Sequence, residues 1–549
     1  MIKPYFIYKS LLFISLMILG CLPNNEDDHI IQANICVYGD SEASFTAAIQ
    51  AARQGKSVSL IAPSGHIGGF IIEGLSRSDV GDGHVNNRPY VSGLSLEFYD
   101  RIRRFYNHKK ELGTFGWEPK VAEKIILDWI SEYPLITTYK NERLVEGPVS
   151  VVREGTRIKQ IVTESGTKFQ AEVFIDATIE GDLMAFSGVS YTFGREGNAK
   201  YNETLNGVYP NQTYRQFEVH IDPYKTPGDS TSGLIATILD VPLGKAGAPS
   251  PYIMGFCFRI CLTDDPANRF PIEKPETYNP EDYEIYRRYF AAGGANPFLI
   301  DGPGLRVNVP NFKTDMGSWH DLSANLYGMN VEYPDAGYRK RKEIYDYHKN
   351  FTLGLIWFLQ NDPAVPIEIR NRWESWGLPA DEFMDNDHWP RKFYARSARR
   401  MVSDYVITEQ NGRPGAEQPS DIIGVTYWPF DMHAAKRVVR NGYAWNEGFV
   451  FDKNTQPFGV SYRALVPKRQ ECSNLIVAAC PSSSYVGYGG LRLVWMFMTM
   501  GQAAGAAGSI AIDDDVSVQD VNYSKLKLQL LKNDQVLSVN SSGQMVPVH

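Results

Sequence analysis

The stretch VYGDSEASFTAAIQAARQGKSVSLIAPSGHIGG, Val37 to Gly69, decides how this chain is read. Ile31 to Tyr38 is apolar enough for a short strand, and Gly39 supplies a tight turn after it. From Ser41 to Gln54, Phe45, Ala48, Ile49 and Ala52 fall on one face at helical spacing. Gly55 closes that helix, and Ser57 to Ala62 is the next strand. A strand, a turn, a helix and a strand in about 30 residues make the geometry of a first dinucleotide-binding unit. The start of such a helix aims free N–H groups and its positive dipole end at a pyrophosphate. The glycine fingerprint is thin, G-x-S-x-x-S, with Ser41 and Ser44 in place of glycines and Ala62 where a ribose-binding acid is expected. His66, Gly68 and Gly69 follow in a loop whose backbone can pass close to a ligand, with His66 read as packing near a phosphate.

Outward from this unit, Trp117 to Tyr133 is an amphipathic helix. Short strands follow at Leu135 to Tyr139, Val149 to Val152 and Ile158 to Val162, and KFQAEVFIDAT ends a buried strand near Asp176. The late return of a strand ending in IDAT suggests one sheet built from distant segments. Phe193 to about Asn330 is rich in loops and strands; helices are expected over Tyr338 to Gln360, over Pro366 to Trp376 and through FYARSARRMVSDYVI. The tail returns to a strand in NLIVAAC and a helix over Leu493 to Ile512. That last run is uncharged, but it holds Gln502 and three glycines, so it reads as a buried helix, with Gly501 and Gly505 spaced for close backbone approach.

The composition is that of a globular protein, 43% hydrophobic and 21% charged, and a net charge of −8 excludes a general nucleic-acid binder. At the N-terminus, Lys3 and Lys9 precede a short apolar run that ends in ILGC, Ile18 to Cys21. A small residue before a cysteine after such a run resembles a bacterial lipobox, implying an exported lipoprotein tethered to the cell envelope through a lipid on Cys21 and in no other way. The six cysteines form no CxxC pair, so no zinc ribbon, iron–sulfur cluster or other metal site is expected. Cys257 and Cys261, four apart on an expected strand, are too distant to bridge.

Two further segments carry the argument beyond the first unit: FIDATIEGDLMAFSGVSY (Phe174 to Tyr191) and NLIVAACPSSSYVGYGGLRLVWMFMTMGQAAGAAG (Asn474 to Gly508). With them come NFKTD (Asn311 to Asp315), WGLPADEF, FYARSARRM and YRALVPK. In these blocks, from about Asn34 to Ile512, the chain resembles the exported bacterial FAD-dependent oxidoreductases related to the two-dinucleotide-fold flavoproteins, some of which are labelled xanthan lyase. The resemblance implies an α/β fold: a Rossmann-like FAD-binding domain assembled from N- and C-terminal segments, with an inserted α+β substrate or cap domain. The boundaries are a signal peptide over 1–21, a tether over 22–32, FAD-binding parts over 33–195 and 416–515, a substrate region over 196–415 and a tail over 516–549. It implies FAD contacts from Asp176, Thr178 and Asp182, and a flavin-side closure at Gly489, Gly490, Leu491 and Arg492, where the start of the last helix would face the flavin. Relatives carry a histidine where Tyr485 stands and MEP where Leu493 to Trp495 stand.

Flavin oxidation of an alcohol or amine needs a base near the reacting C–H bond. Asp431 and His433, two apart in YWPFDMH, would share a strand face and can form an acid–histidine pair. Arg396 and Arg400, four apart on the expected helix, would clamp a carboxylate or a flavin carbonyl. Tyr485 is a further candidate, and Arg259 in FCFRICL is expected to be paired if buried. The function expected is hydride transfer to FAD from a small polar, carbohydrate-derived substrate, the electrons then passing to an unidentified acceptor. The alternatives are a polysaccharide lyase and a flavin-fold binding lipoprotein with lost catalysis.

Overall fold

The computed structural model describes residues 29–81, 84–109, 115–295, 309–317 and 322–539. The proposed signal segment, Cys21 and most of the tether lie outside the described residues. The chain opens with β1 (Ile30–Tyr38), α1 (Glu42–Arg53) and β2 (Val58–Ala62). It continues through α2 (Gly93–Phe105), α3 (Pro119–Ser131), β3 (Ile136–Lys140), β4 (Val151–Glu154), β5 (Arg157–Val162), β6 (Lys168–Asp176) and α4 (Asp182–Phe186). Near the C-terminus come β7 (Leu475–Val477) and α5 (Val494–Asp513).

One seven-stranded sheet joins these distant segments in the order β3-β2-β1-β6-β5-β4, with β7 also on β6. β3, β2, β1, β6 and β7 run parallel, whereas β5 pairs antiparallel with β6 and β4 pairs antiparallel with β5. A single edge of β6 serves two partners. Lys168 to Gln170 pair with β5, and Phe174 to Asp176 pair with β7. The register aligns Tyr38 with Asp176 and Asp176 with Val477, so the strand ends meet beside the N-terminus of α1. In an open parallel sheet this crevice, where the connections diverge, is where ligands bind.

The opening unit folds as its pattern indicates. Ser41 caps α1, its hydroxyl accepting from the Ala43 N–H at 3.3 Å. Every residue from Glu42 to Ala52 is buried because α1 is covered on both sides, by the sheet and by α5. α5 comes close only because of its glycines: a Cβ at Gly501 would overlap the Ala43 carbonyl, and one at Gly505 the Ala47 carbonyl. Small residues thus let two backbones touch, and α5 is buried on all faces from Val494 to Ala511. Among the described residues, no helix is long and apolar enough to cross a membrane. The five described cysteines are buried free thiols.

Two expectations are corrected. The run FYARSARRMVSDYVI is not a helix. It is extended, tied by the Tyr394 N–H donating to the Cys257 carbonyl at 2.7 Å, and Arg400–Met401 pairs with Tyr191–Thr192. Its arginine and alanine favour helix, but buried partners on both sides override that preference. Arg396 and Arg400 therefore share no helical face. The second correction concerns GGLR, which does not begin the last helix. Gly489 ends a short helix (Tyr485–Gly489), and α5 starts only at Val494. The N-terminal groups of that short helix already have partners: the Tyr485 N–H donates to Glu196 at 3.0 Å, and the Gly487 N–H to the Ser484 hydroxyl at 3.0 Å.

Candidate functional site

A cleft of about 280 Å³ lies at the carboxyl ends of the parallel strands. It gathers Ser41, Gly69, Thr178 and Asp182 from the sequence candidates. Gly39 sits beneath at φ +136°, where a Cβ would overlap the Ala177 carbonyl, so only glycine lets the ends of β1 and β6 close together. The Ser41 hydroxyl donates to that same carbonyl at 2.5 Å, and the Ser44 hydroxyl donates to Ser41 O at 2.7 Å. The N–H groups of Gly68 and Gly69 donate to Asp40 O at 3.0 and 2.7 Å, which folds the HIGG loop over the turn.

Asp176 stands behind the cleft. Its carboxylate accepts from the Thr178 N–H and hydroxyl at 2.9 and 2.7 Å and from the Met184 N–H at 2.8 Å. Burial raises its pKa to about 6. Its role is to shape the β6–α4 turn. Asp182 is held bidentately by Arg341 at 2.7 and 2.9 Å and by Arg399 at 2.7 Å. Burial pushes its pKa up, but the two guanidinium groups outweigh it and hold the carboxyl below the usual range. His66 does not line the cleft: it is wedged between Glu123 at 2.6 Å and Asp385 at 2.7 Å, chiefly the first of which raises its pKa.

A second cavity, of about 190 Å³, lies across the extended segment Lys392 to Arg396. From Phe393 to Arg396 side chains alternate as on a strand, and Lys392 lies on the same side as Phe393. Lys392, Phe393 and Ala395 line the cleft, while Tyr394 and Arg396 line the second cavity. Here Asp431, His433, Arg396 and Arg492 converge. Arg492 donates to Asp431 Oδ2 at 2.6 Å and to the Tyr394 hydroxyl at 3.2 Å. Asp431 Oδ1 is buried and accepts no hydrogen bond among the described residues. His433 Nε2 lies 4.0 Å from that oxygen, too far for the expected acid–histidine hydrogen bond. Instead His433 Nδ1 lies 3.2 Å from Arg215 Nη1, a donor, which places the histidine proton on Nε2. Burial, then the charges of Arg396, Arg215, Arg492 and Arg259, push the His433 pKa well below its ordinary value. His433 is therefore a neutral imidazole at physiological pH.

Tyr485 and Arg400 line neither cavity. Arg400 is wholly buried, donating to Glu196 at 2.7 Å and to the carbonyls of Ser483 and Gly194 at 3.1 Å. The Tyr485 hydroxyl has no hydrogen-bond partner among the described residues, and burial raises its pKa, so it is no base at neutral pH. Gly489, Gly490 and Leu491 are packing residues. The Thr426 hydroxyl donates to Gly490 O at 2.6 Å, and a Cβ at Gly489 would meet Met432 Sδ at 2.6 Å. Of the GGLR block only Arg492 reaches a cavity.

Sequence reasoning missed Lys392, Arg77, Asp79 and Arg215. Each lies in a polar loop whose spacing carries no signal, and only the fold brings them to a cavity. Arg259 was flagged by its apolar surroundings and is indeed paired, donating to Asp315 at 2.7 Å.

With this geometry in view, the comparisons place the chain. The family model for FAD dependent oxidoreductases matches residues 34–530. The chain belongs to that family and is an FAD-dependent oxidoreductase, with FAD as its cofactor. No curated protein matches it. Among solved structures, the thioredoxin reductase of T. acidophilum is 16% identical, aligned over 31% of this chain and 40% of its own, with a TM-score of 0.17. The L-proline dehydrogenase of P. horikoshii is 13% identical over 30% of this chain and 58% of its own, with a TM-score of 0.25. The p-nitrophenol 4-monooxygenase of Pseudomonas putida is 8% identical over 31% of this chain and 46% of its own, with a TM-score of 0.23. The aligned part thus covers less than two thirds of each of these chains.

The cleft presents cationic side chains to a dinucleotide. Arg143, Arg341, Lys342, Arg391 and Lys392 line it with Asp40, Glu180 and Asp182. Each of these cations pairs with a carboxylate, Arg143 with Glu164, Arg341 with Asp182, Lys342 with Asp346, Arg391 with Asp385 and Lys392 with Asp40, so a diphosphate would share these partners. Lys392 pairs with Asp40, whose other oxygen accepts from the Ser64 hydroxyl at 2.7 Å. Glu42, first residue of α1, is tucked beneath the Gly69–Ile71 turn, where its Oε1 accepts from the Ile71 N–H at 3.2 Å. Burial raises its pKa to about 8, so it adds no negative charge to the helix start at neutral pH.

Proposed function

We propose that this chain oxidises a hydroxyl-bearing carbon of a small polar, carbohydrate-derived substrate, with FAD along the cleft and the substrate in the arginine-lined cavity. The carrying observation is the shared wall: one extended segment lends Lys392, Phe393 and Ala395 to the cleft and Tyr394 and Arg396 to the second cavity. Gly39, Ser41, Gly69, Thr178 and Lys392 would hold the cofactor. Bound FAD supplies a two-electron acceptor for the C–H bond that breaks.

The chain's own residues handle the proton. Arg492 holds Asp431 Oδ2 and leaves Oδ1 as a buried acceptor in the cavity, positioned to take the hydroxyl proton. His433, neutral and with its proton on Nε2, is a hydrogen-bond donor to the substrate oxygen rather than a strong base. The product is a carbonyl compound, and an external acceptor reoxidises the cofactor. On this reading residues 196–415 form the inserted cap and substrate side, while 33–195 and 416–515 form the FAD side. The chain is exported and tethered to the cell envelope by lipidated Cys21. The ILGC sequence after an apolar run supports that localisation.

The test is flavin release. Purified protein incubated with FAD and desalted is expected to retain about one flavin per chain and to release it on denaturation as free FAD. Protein that retains none refutes this reading of the cleft. Turnover with an artificial electron acceptor, abolished in Asp431→Asn and reduced in His433→Ala, separates an enzyme from a flavin-fold binding protein.

A further inference from the structure

The second cavity has an unusual charge balance. Five guanidinium groups line it, those of Arg77, Arg215, Arg259, Arg396 and Arg492, against the carboxylates of Asp79 and Asp431. Among the described residues, Asp315 behind Arg259 supplies one more negative charge and still leaves the cations in excess. The site is largely closed to water, with Arg396 and Arg492 2 and 3% exposed. Like charges at this density in a poorly solvated space repel, and an anionic ligand relieves that repulsion. Burial, then four of these arginines, depress the pKa of His433, which lies in the same positive field. Against this donor-rich wall stands a buried acceptor with no donor among the described residues, Asp431 Oδ1. A complementary ligand therefore carries a carboxylate for the guanidinium groups and a hydroxyl for Asp431.

The surroundings extend that description. The cavity has room for about six waters by liquid volume. It shares His84, Tyr214, Arg215 and Phe451 with an outer pocket of about 460 Å³. Tyr209, Tyr214, Phe449 and Phe451 give that outer pocket apolar ring faces, and Asn211, Gln212 and Asp452 give it polar groups. Phe449 and Tyr214 lie 5.3 Å apart, with the Arg215 guanidinium 4.9 Å from the Phe449 ring. Ring faces beside amides suit a polyhydroxylated ring, whereas a phosphate or sulfate dianion would be pressed against Asp79 and Asp431.

We infer that the substrate is a sugar acid, its carboxylate held by the arginines of the inner cavity, one hydroxyl on Asp431 and the rest of the molecule in the outer pocket. This rests on the proposed assignment of the cavity to substrate, but it is tested without turnover. Isothermal titration of the purified full chain with sodium D-glucuronate, D-galacturonate and D-gluconate is compared with D-glucose and sodium sulfate. At least one sugar acid is expected to bind about ten-fold or more tightly than both glucose and sulfate. Arg396→Met is expected to weaken that binding about ten-fold or more. Arg77→Gln, at a half-buried position, is expected to weaken it in the same direction, with the melting temperature of each variant measured so that lost binding is told apart from unfolding. Sulfate binding as tightly as every sugar acid, glucose binding equally well, or no sugar acid binding at millimolar concentration each overturns the inference. Flavin content measured on the same samples keeps this outcome separate from the failure of the flavin reading.

Discussion

Glu42 gives the sharpest test of how the cofactor cleft is built. It is the first residue of α1, fully buried, with one oxygen accepting from the Ile71 N–H and the other without a partner among the described residues. Burial raises its pKa from 4.5 to about 8. The folded chain therefore keeps a proton that the unfolded chain releases, so this contribution to stability is complete below about pH 4.5 and is lost as pH rises to about 8. Each pH unit in that window lowers the unfolding free energy by about 1.4 kcal/mol, roughly 5 kcal/mol in all and about 3 kcal/mol by pH 7. Glu42→Gln retains the shape of the neutral acid and cannot ionise. Urea unfolding of both proteins, followed by tryptophan fluorescence from pH 5 to pH 9, should give nearly equal stability at pH 5 and a variant progressively more stable as pH rises. Asp176, Glu73 and Glu382, with pKa values raised by burial to about 6, 7 and 7, titrate in both proteins and cancel in the difference. A difference that does not change with pH, or a variant less stable at pH 9, would refute the reasoning. Glu42 would then be an ionised partner of the turn's N–H groups, and the helix start would carry the negative charge that a diphosphate must avoid.

Other outcomes follow from the same coordinates. Tyr485→Phe should leave turnover unchanged and raise stability by about 1 kcal/mol, because the buried hydroxyl has no hydrogen-bond partner among the described residues; a large loss of turnover would restore Tyr485 to the reaction. Lys313 donates to Glu118 and Glu382, both at 2.6 Å, and to Asp381 at 3.0 Å. Its replacement by Met strands those carboxylates and should cost about 3–5 kcal/mol in denaturant unfolding. Gly39→Val puts a side chain into the Ala177 carbonyl and should abolish flavin retention, read as flavin released per chain on denaturation. Arg492→Met removes the hold on Asp431 and should lower kcat far more than flavin content, measured on one preparation.

Much of the scaffold was legible because its signals are local. The apolar spacing of Phe45, Ala48, Ile49 and Ala52 marked α1, the FIDAT run marked the end of β6, and Gly501 and Gly505 marked a close helix contact. The failures came where neighbours remote in sequence decide the conformation. Residues 393–407 have good helix propensity, yet Cys257 on one side and Tyr191 on the other draw them into extended structure. That change moved Arg396 into a cavity and Arg400 onto Glu196, roles that a shared helical face would have denied them.

The sequence by itself determined the class of the sheet, its opening unit and the family, since periodicity, turn residues and ordered motif blocks are written along the chain. Only the tertiary structure decided which charges meet. Arg77, Arg215, Arg259, Arg396, Asp431 and Arg492 come from segments hundreds of residues apart. Their convergence sets the field at His433 and leaves Asp431 Oδ1 without a hydrogen-bond partner among the described residues, and electrostatics at a few ångströms depends on distance in space rather than on separation along the chain.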